Sequence, residues 1–252
     1  MAVALHTLVT EVDRYLDAAR IVDYCPNGLQ VEGRAEVRRI VSGVTASQAL
    51  LDAAVEAQAD LVLVHHGYFW KNENACITGM KRRRLKTLLG HDISLLAYHL
   101  PLDLHPEVGN NVQLAQRLGL QVEGPLEPGN PRSVGLLGSL AQALSPAEFA
   151  AQVARVLGRE PLLVPGCGPI RRVAWCTGAA QGYIEQAIAA GADAYLSGEV
   201  SESTVHSARE NGISFVAAGH HATERYGVQA LGEWIARRFA VEHRFIDCSN
   251  PV

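Results

Sequence analysis

No run of apolar residues in this chain approaches the roughly 20 needed to cross a bilayer, so no membrane-spanning role is expected. The five cysteines (Cys25, Cys76, Cys167, Cys176 and Cys248) are scattered and never in C-x-x-C spacing. That disfavours a disulfide framework and a zinc ribbon alike, and points to a reducing, cytoplasmic setting. Positive charge is not in excess: 22 Lys and Arg stand against 26 Asp and Glu. A net charge of -4 supplies no general pull toward nucleic acid or acidic membrane. The chain also lacks a G-x-x-x-x-G-K-[ST] phosphate loop, a glycine triplet after its first strand (Ser42-Gly43-Val44-Thr45), and a G-x-S-x-G nucleophile elbow, which removes three large enzyme classes. What remains is an ordinary soluble composition, 48% hydrophobic and 19% charged over 252 residues, enough for one large domain or two of usual size. The N-terminal residues, with Glu11, Asp13 and Arg14 inside an amphipathic pattern, read as a helix and not as a signal peptide.

Hydrophobic periodicity predicts an α/β protein. Residues 1–20 form a first helix, followed by the turn cluster Asp23-Tyr24-Cys25-Pro26-Asn27-Gly28-Leu29-Gln30. A strand over 39–44, a helix opened by a Thr45/Gln48 capping box, and the apolar run Leu61-Val62-Leu63-Val64-His65-His66 make a βαβ unit. A helix containing the basic run Lys81–Lys86 and a strand over 93–99 follow. The stretch 124–139 is rich in Gly and Pro and marks the expected boundary between lobes at 1–125 and 126–252, with an exchange of segments left open. Beyond it, Ser145-Pro146-Ala147-Glu148 carries a capping box with proline at the first helical position, and Gly158 ends that helix. Strands at 172–176, 193–197 and 213–218, helices near 180–190 and 222–237, and a short strand over 243–247 complete the pattern.

Two parts of the chain match each other. Val37-Arg38-Arg39-Ile40 aligns with Ile170-Arg171-Arg172-Val173, Ala59-Asp60 with Ala192-Asp193, and the strand end His65-His66 with Gly198-Glu199. With small gaps, His99-x-x-x-Asp103 then meets His220-x-x-x-Glu224. Two topologically similar α/β lobes follow from this order.

Ligand sites of open α/β sheets lie beyond the carboxyl ends of the strands, and there the chain places six of its ten histidines: His65, His66, His99, His105, His220 and His221. Caps and core polar groups are the competing reading of these residues. If the lobes face one another, His65, His66 and Asp103 meet His220 and Glu224. Five N/O donors exceed the needs of one tetrahedral zinc and suit two ions sharing a carboxylate. Mixed imidazole and carboxylate donors favour Zn, Mn, Fe or Ni. Asp103 is expected in a loop because Pro101 sets a turn. His99 reads as an orienting residue or a proton carrier facing substrate, His105 as solvent-exposed, and His221 as directed away from His220. Glu199 is a candidate to hydrogen-bond a ligand histidine or to contact substrate. The basic run, with Arg82 and Lys86, reads as a solvated helix face or as a phosphate-binding patch.

Taken together, DYCPNGLQ (23–30), VHHGYFW (64–70), YHLPLD (98–103) and GHHATE (219–224) resemble the NIF-three-like family over essentially the whole chain. The resemblance implies two interlinked α/β lobes, a two-ion metal site in the cleft and a toroidal homohexamer built as a trimer of dimers. It also implies metal ligation by His65, His66, Asp103, His220 and Glu224, with Glu224 as the bridge. Members carry the name GTP cyclohydrolase 1 type 2 homologue, which implies a metal-activated water attacking the purine ring of a nucleotide, with Glu224 and His99 in catalytic roles. A non-catalytic metal-binding scaffold, linked to DNA damage responses or partner binding, is the alternative.

Overall fold

Residues 61–64 alternate between two cores. Leu61 and Leu63 pack with Leu8, Val12, Leu96 and Ile235 on one face of their sheet, whereas Val62 and Val64 pack with Leu50, Ala54, Leu88 and Leu95 on the other. Successive strand residues point to opposite faces, so a strand covered on both sides reads as an unbroken apolar run. In the computed structural model, which describes residues 2–130 and 133–252, this strand lies within the first of two compact units.

The first unit spans Met1–Gly109 and Gly227–Cys248 and the second Asn110–Tyr226 and Ser249–Val252. In chain order, the first contains β1 (Val3–Ala4), α1 (Leu5–Tyr15), β2 (Gly28–Val31), β3 (Glu36–Val37) and β4 (Arg39–Thr45). It continues with α2 (Gln48–Glu56), β5 (Leu61–His66), α3 (Gly79–Gly90), β6 (Ser94–Ala97) and α4 (Leu100–Asp103). The second begins with α5 (Asn110–Leu118), β7 (Leu120–Pro125), β8 (Leu136–Leu144), α6 (Pro146–Leu157), β9 (Leu162–Val164) and β10 (Ile170–Cys176). Then come α7 (Ile184–Ala189), β11 (Ala194–Ser197), α8 (Glu202–Asn211), β12 (Ser214–Ala217) and α9 (His220–Thr223). From Gly227 onward, α10 (Arg225–Phe239) and then β13 (Glu242–Phe245) return to the first unit. The expected single cut at 125/126 is therefore not where the chain divides: residues 110–125 belong to the second unit and 227–248 to the first.

The main sheet of the first unit has the order β13-β4-β5-β6-β2, parallel except for β2. That of the second has the order β7-β8-β10-β11-β12-β9, with β10, β11 and β12 parallel. It too is covered on both faces. Trp175, Leu196 and Val216 enter one core, and Ala174, Tyr195 and Phe215 the other. The larger aliphatic and aromatic side chains among these each contribute about 1.5–3 kcal/mol by leaving water.

The internal match recurs bond for bond. Asp60 Oδ2 accepts from the backbone N–H groups of Arg38 and Arg39 at 2.8 and 2.9 Å. Asp193 Oδ2 does the same for Arg171 and Arg172 at 3.0 and 2.8 Å. Ser94 N–H donates to the Asp60 carbonyl and Ser214 N–H to that of Asp193, both at 3.0 Å. The Ser94 and Ser214 hydroxyls accept from Gly33 and Gly166 N–H, again both at 3.0 Å. Each unit thus uses a carboxylate and a serine to close the same strand beginnings, whose N–H groups need acceptors when buried.

Several local expectations change. The N-cap of α2 is Ser47, whose side chain accepts from Leu50 N–H. Thr45 is still in β4, paired with His66, so the Thr45/Gln48 box does not form. Asp103 ends the short helix α4, with Pro101 in its first turn, because proline needs no N–H partner there. The Ser145–Glu148 capping box and the left-handed Gly158 cap are both present on α6.

Candidate metal centre

Strand β5 delivers two histidines with different surroundings. His65 is fully buried, and its Nδ1 lies 2.9 Å from the Tyr98 carbonyl. A carbonyl only accepts, so Nδ1 carries a proton; in the neutral imidazole Nε2 then holds the lone pair, the state a metal ligand requires. Nε2 stands 3.7 Å from Asp103 Oδ1, on a side chain that is itself 6% exposed. His66 is half-buried, with Nδ1 3.2 Å from the Thr45 hydroxyl of the paired strand.

His99 caps α4 and joins these two: the three imidazoles present nitrogen atoms within 4.8 Å of one another. Its Nδ1 donates to Asp23 Oδ1 at 2.7 Å, and its backbone N–H to Asn27 Oδ1 at 2.8 Å. Asp23 also accepts from Tyr24 N–H, Asn27 Nδ2 and Leu100 N–H. Burial favours the neutral carboxyl, but these donors win and hold Asp23 down at about 2. The 23–30 turn is thus the cradle of His99. Cys25 forms a further triplet with Asp23 and His99. Burial and then the Asp23 charge push its thiol up to about 12, and both Asp23 oxygens are already accepting, so this triplet is the poorer metal candidate.

In the second unit, β11 and β12 run into Gly198-Glu199 and Gly219-His220. His220 Nδ1 lies 2.7 Å from Glu199 Oε1, and Nε2 lies 3.1 Å from Glu224 Oε2. Burial opposes a charged His220, but Glu224 and then Glu199 raise it to about 9. The Glu224 side chain is 4% exposed. Gly178, in the left-handed region at φ 71°, lines this group. A Cβ there would overlap Glu224 Oε1 and come 3.3 Å from His220 Nε2, so glycine keeps this space open beside both donors.

The strand registers refine the internal match. Leu61 pairs with Ser94 in the first unit and Ala194 with Ser214 in the second. His66 therefore corresponds to Glu199, as expected, but His99 corresponds to Gly219 and His220 to Leu100. The expected pairing of His99 with His220, and of Asp103 with Glu224, is one residue out.

Each candidate residue now has a place. His65, His66, His99 and Asp103 gather in the first unit, and His220, Glu224 and Glu199 in the second. His221 is half-buried, its N–H donating to the Val252 carbonyl. His105 is half-buried and not fully solvent-exposed: its Nε2 bonds the Tyr15 carbonyl, its ring packs 4.3 Å from Tyr15, and burial lowers its pKa. Arg82 and Lys86 lie on the exposed face of α3. Sequence reasoning missed Asp23, Tyr98, Thr45 and Gly178. Only Asp23 had a signal, as the acid opening the turn cluster. Imidazoles whose Nδ1 is committed to a carbonyl or a carboxylate, beside a further imidazole and buried carboxylates, fit a divalent transition ion, and the donor set contains no thiolate.

An α/β fold with repeated half-sheets and histidines at its strand ends defines the class of protein. The chain belongs to the Duf34/NIF3 (NGG1p interacting factor 3) family, which matches residues 3–251. It is 80% identical over 251 residues to a Pseudomonas aeruginosa protein called GTP cyclohydrolase 1 type 2 homolog, covering 100% of both chains. Among solved structures, the protein ybgI, of unknown function, is 51% identical and superposes with a TM-score of 0.96 over 99% of this chain and 100% of its own. A Thermus thermophilus protein, TTHA1606, is 33% identical, with a TM-score of 0.90 over 99% and 100%. Among the described residues, no helix is long and apolar enough to cross a membrane.

Proposed function

We propose that this protein is a metal-dependent hydrolase of the GTP cyclohydrolase 1 type 2 kind, acting on the purine ring of a nucleotide. The single observation that carries the reading is the locked imidazole. His65, His99 and His220 each give Nδ1 to a fixed acceptor, and each also stands beside a further imidazole or carboxylate that could share an ion with it. His65, His66 and Asp103 would hold ions together with His220 and Glu224. His65, His66 and Asp103 belong to the first unit and His220 and Glu224 to the second, so using both sets for one pair of ions is part of the proposal.

When bound, such ions lower the pKa of a water and polarise the ring nitrogen or carbon under attack. The chain's own groups do the rest. Tyr98 and Glu199 hold the imidazoles in place. His99, fixed by Asp23, presents Nε2 to accept or return a proton during ring opening. Glu199 also leaves a carboxylate edge for a substrate N–H. A homohexamer, with a mass six times 27.1 kDa, is the assembly we propose on family grounds.

The reading is tested by elemental analysis of protein purified without chelator and by formate release from GTP. Two transition ions per chain and metal-dependent formate release, lost in Glu224→Gln, are expected. Less than one ion per chain would overturn the reading. Full metal loading with no turnover of GTP or a purine nucleotide panel would leave a non-catalytic metal-binding scaffold in its place.

A further inference from the structure

The segment that follows His66 is built against local preference. Phe69 and Asn72 both occupy left-handed backbone, at φ 65° and 72°, and a bulky aromatic residue there is strained. The strain is held by identifiable bonds. Gln30 clamps Tyr68 from both sides, accepting from its N–H at 2.7 Å and donating to its carbonyl at 3.1 Å. Lys71 N–H donates to the Tyr24 carbonyl at 2.6 Å, tying this loop to the turn that cradles His99. The result is to set two large rings beside one imidazole. Trp70 stands edge-on to His99 at 5.0 Å and 79°, and Tyr24 is tilted against it at 6.4 Å. Tyr24 is nevertheless 62% exposed. Trp70 is also tilted against His66 at 5.9 Å and 53°, and neither Trp70 nor Tyr24 lies parallel to the His99 imidazole.

We propose that Tyr24 and Trp70 form the rim that binds the planar heteroaromatic ring of the substrate, a nucleobase, beside His99. The proposal rests on the purine-directed activity proposed above for the class of that ring. Two of the neighbouring cations are already engaged and so are poor phosphate receptors. Lys81 is engaged with Glu73, with the Asn74 carbonyl and with the Phe69 ring, and Arg84 lies over Tyr68. Aromatic faces, by contrast, suit every base, and each stacked base typically gains severalfold to a hundredfold in affinity.

The test uses zinc-loaded, full-length protein carrying 5-fluorotryptophan. Its three tryptophans give three resonances, and Trp70→Phe assigns the one of interest. Guanosine is expected to shift the Trp70 resonance saturably, while ribose 5-phosphate leaves it unmoved. Trp70→Ala and Tyr24→Ala should each weaken guanosine binding about tenfold. Trp70→Phe and Tyr24→Phe should stay within about threefold, with zinc content unchanged in all four. The proposal is overturned if guanosine causes no shift, if ribose 5-phosphate shifts Trp70 equally, or if either alanine variant binds guanosine within twofold of wild type. A Trp70 resonance that moves with protein concentration alone would assign the rim to a second copy of the chain instead. Formate release separates the two proposals. Guanosine binding without turnover overturns the activity and leaves the rim, whereas turnover without a Trp70 response overturns the rim.

Discussion

Replacing Asp23 by Asn tests whether the 23–30 turn is the cradle of His99 or a passive loop. The Asp23 carboxylate is 2% exposed and 2.7 Å from His99 Nδ1. It receives three further hydrogen bonds, from Tyr24 N–H, Asn27 Nδ2 and Leu100 N–H. Its pKa falls from 3.8 to about 2 even though burial pushes the other way. At 1.36 kcal/mol per pKa unit, the charged form is worth about 2.5 kcal/mol to the folded state. Because the folded value is the lower one, this stability is complete above about pH 4 and fades as pH falls toward 2. Asn keeps the shape but turns an N–H₂ toward groups that are themselves donors. Unfolding followed in chelator, so that metal linkage plays no part, should therefore show Asp23→Asn less stable by about 2.5 kcal/mol, or about 5–10 °C in Tm. The gap should not narrow between pH 7 and pH 5, because Asp23 stays charged throughout that window. A gap below 1 kcal/mol, or one that narrows between pH 7 and pH 5, would refute the assignment, because another group would then be titrating.

Three further substitutions probe the remaining structural claims. Gly178→Ala forces a Cβ onto Glu224 in a left-handed position, so zinc bound per chain should drop at least tenfold at limiting metal while circular dichroism stays native; undiminished zinc would contradict the role given to that glycine. Asp60→Ala and Asp193→Ala each remove the acceptor of two strand N–H groups, at a cost in urea unfolding of about 1–3 kcal/mol for the buried Asp60 and about 0.5–1.5 kcal/mol for the exposed Asp193. Asp60→Ala should be the worse by about 1 kcal/mol, because Asp60, 6% exposed, also pairs with Arg34 at 2.9 Å; equal losses would deny that pair any weight.

What could be read from the chain was whatever local chemistry decides. Four aliphatics ending in two histidines name a buried strand and its end, and the Ser145–Glu148 box with Gly158 fixes α6 at both ends. Elements with weaker signals escaped. Helix α8 is a polar surface helix, and β8 lies partly inside the Gly- and Pro-rich stretch that read as a connection. The division of the chain was misplaced for a different reason. Membership of α10 in the first unit depends on Val228, Leu231 and Ile235 packing with Leu8 and Leu63, a tertiary fact with no local mark. The metal-donor types were legible because histidine and carboxylate side chains stand at strand ends. Their orienting partners were not, since the Tyr98 carbonyl is a backbone atom that every residue possesses.

The one-residue error in the internal match exposes how the two half-sets differ. The carboxylate and serine that close the strand beginnings recur as Asp60 and Ser94 in one unit and Asp193 and Ser214 in the other, within 0.2 Å in every bond. These N–H groups lie where the strands begin, outside the ladder, and a nearby carboxylate and hydroxyl supply their acceptors. The strand ends carry no such obligation, and there the copies part. In the first unit a histidine sits at the N-cap of α4, where its backbone N–H bonds Asn27 and its ring needs a carboxylate from a distant turn, Asp23. In the second the cap is Gly219, at φ 99°, and the histidine moves one place into α9. Four residues before Glu224, it shares that carboxylate across one helical turn, and Glu199, standing where the first unit has His66, takes its other nitrogen. The first unit is consequently rich in imidazole and the second in carboxylate. An alignment that maximises matching histidines hides this difference; one that follows the hydrogen bonds of the sheet reveals it.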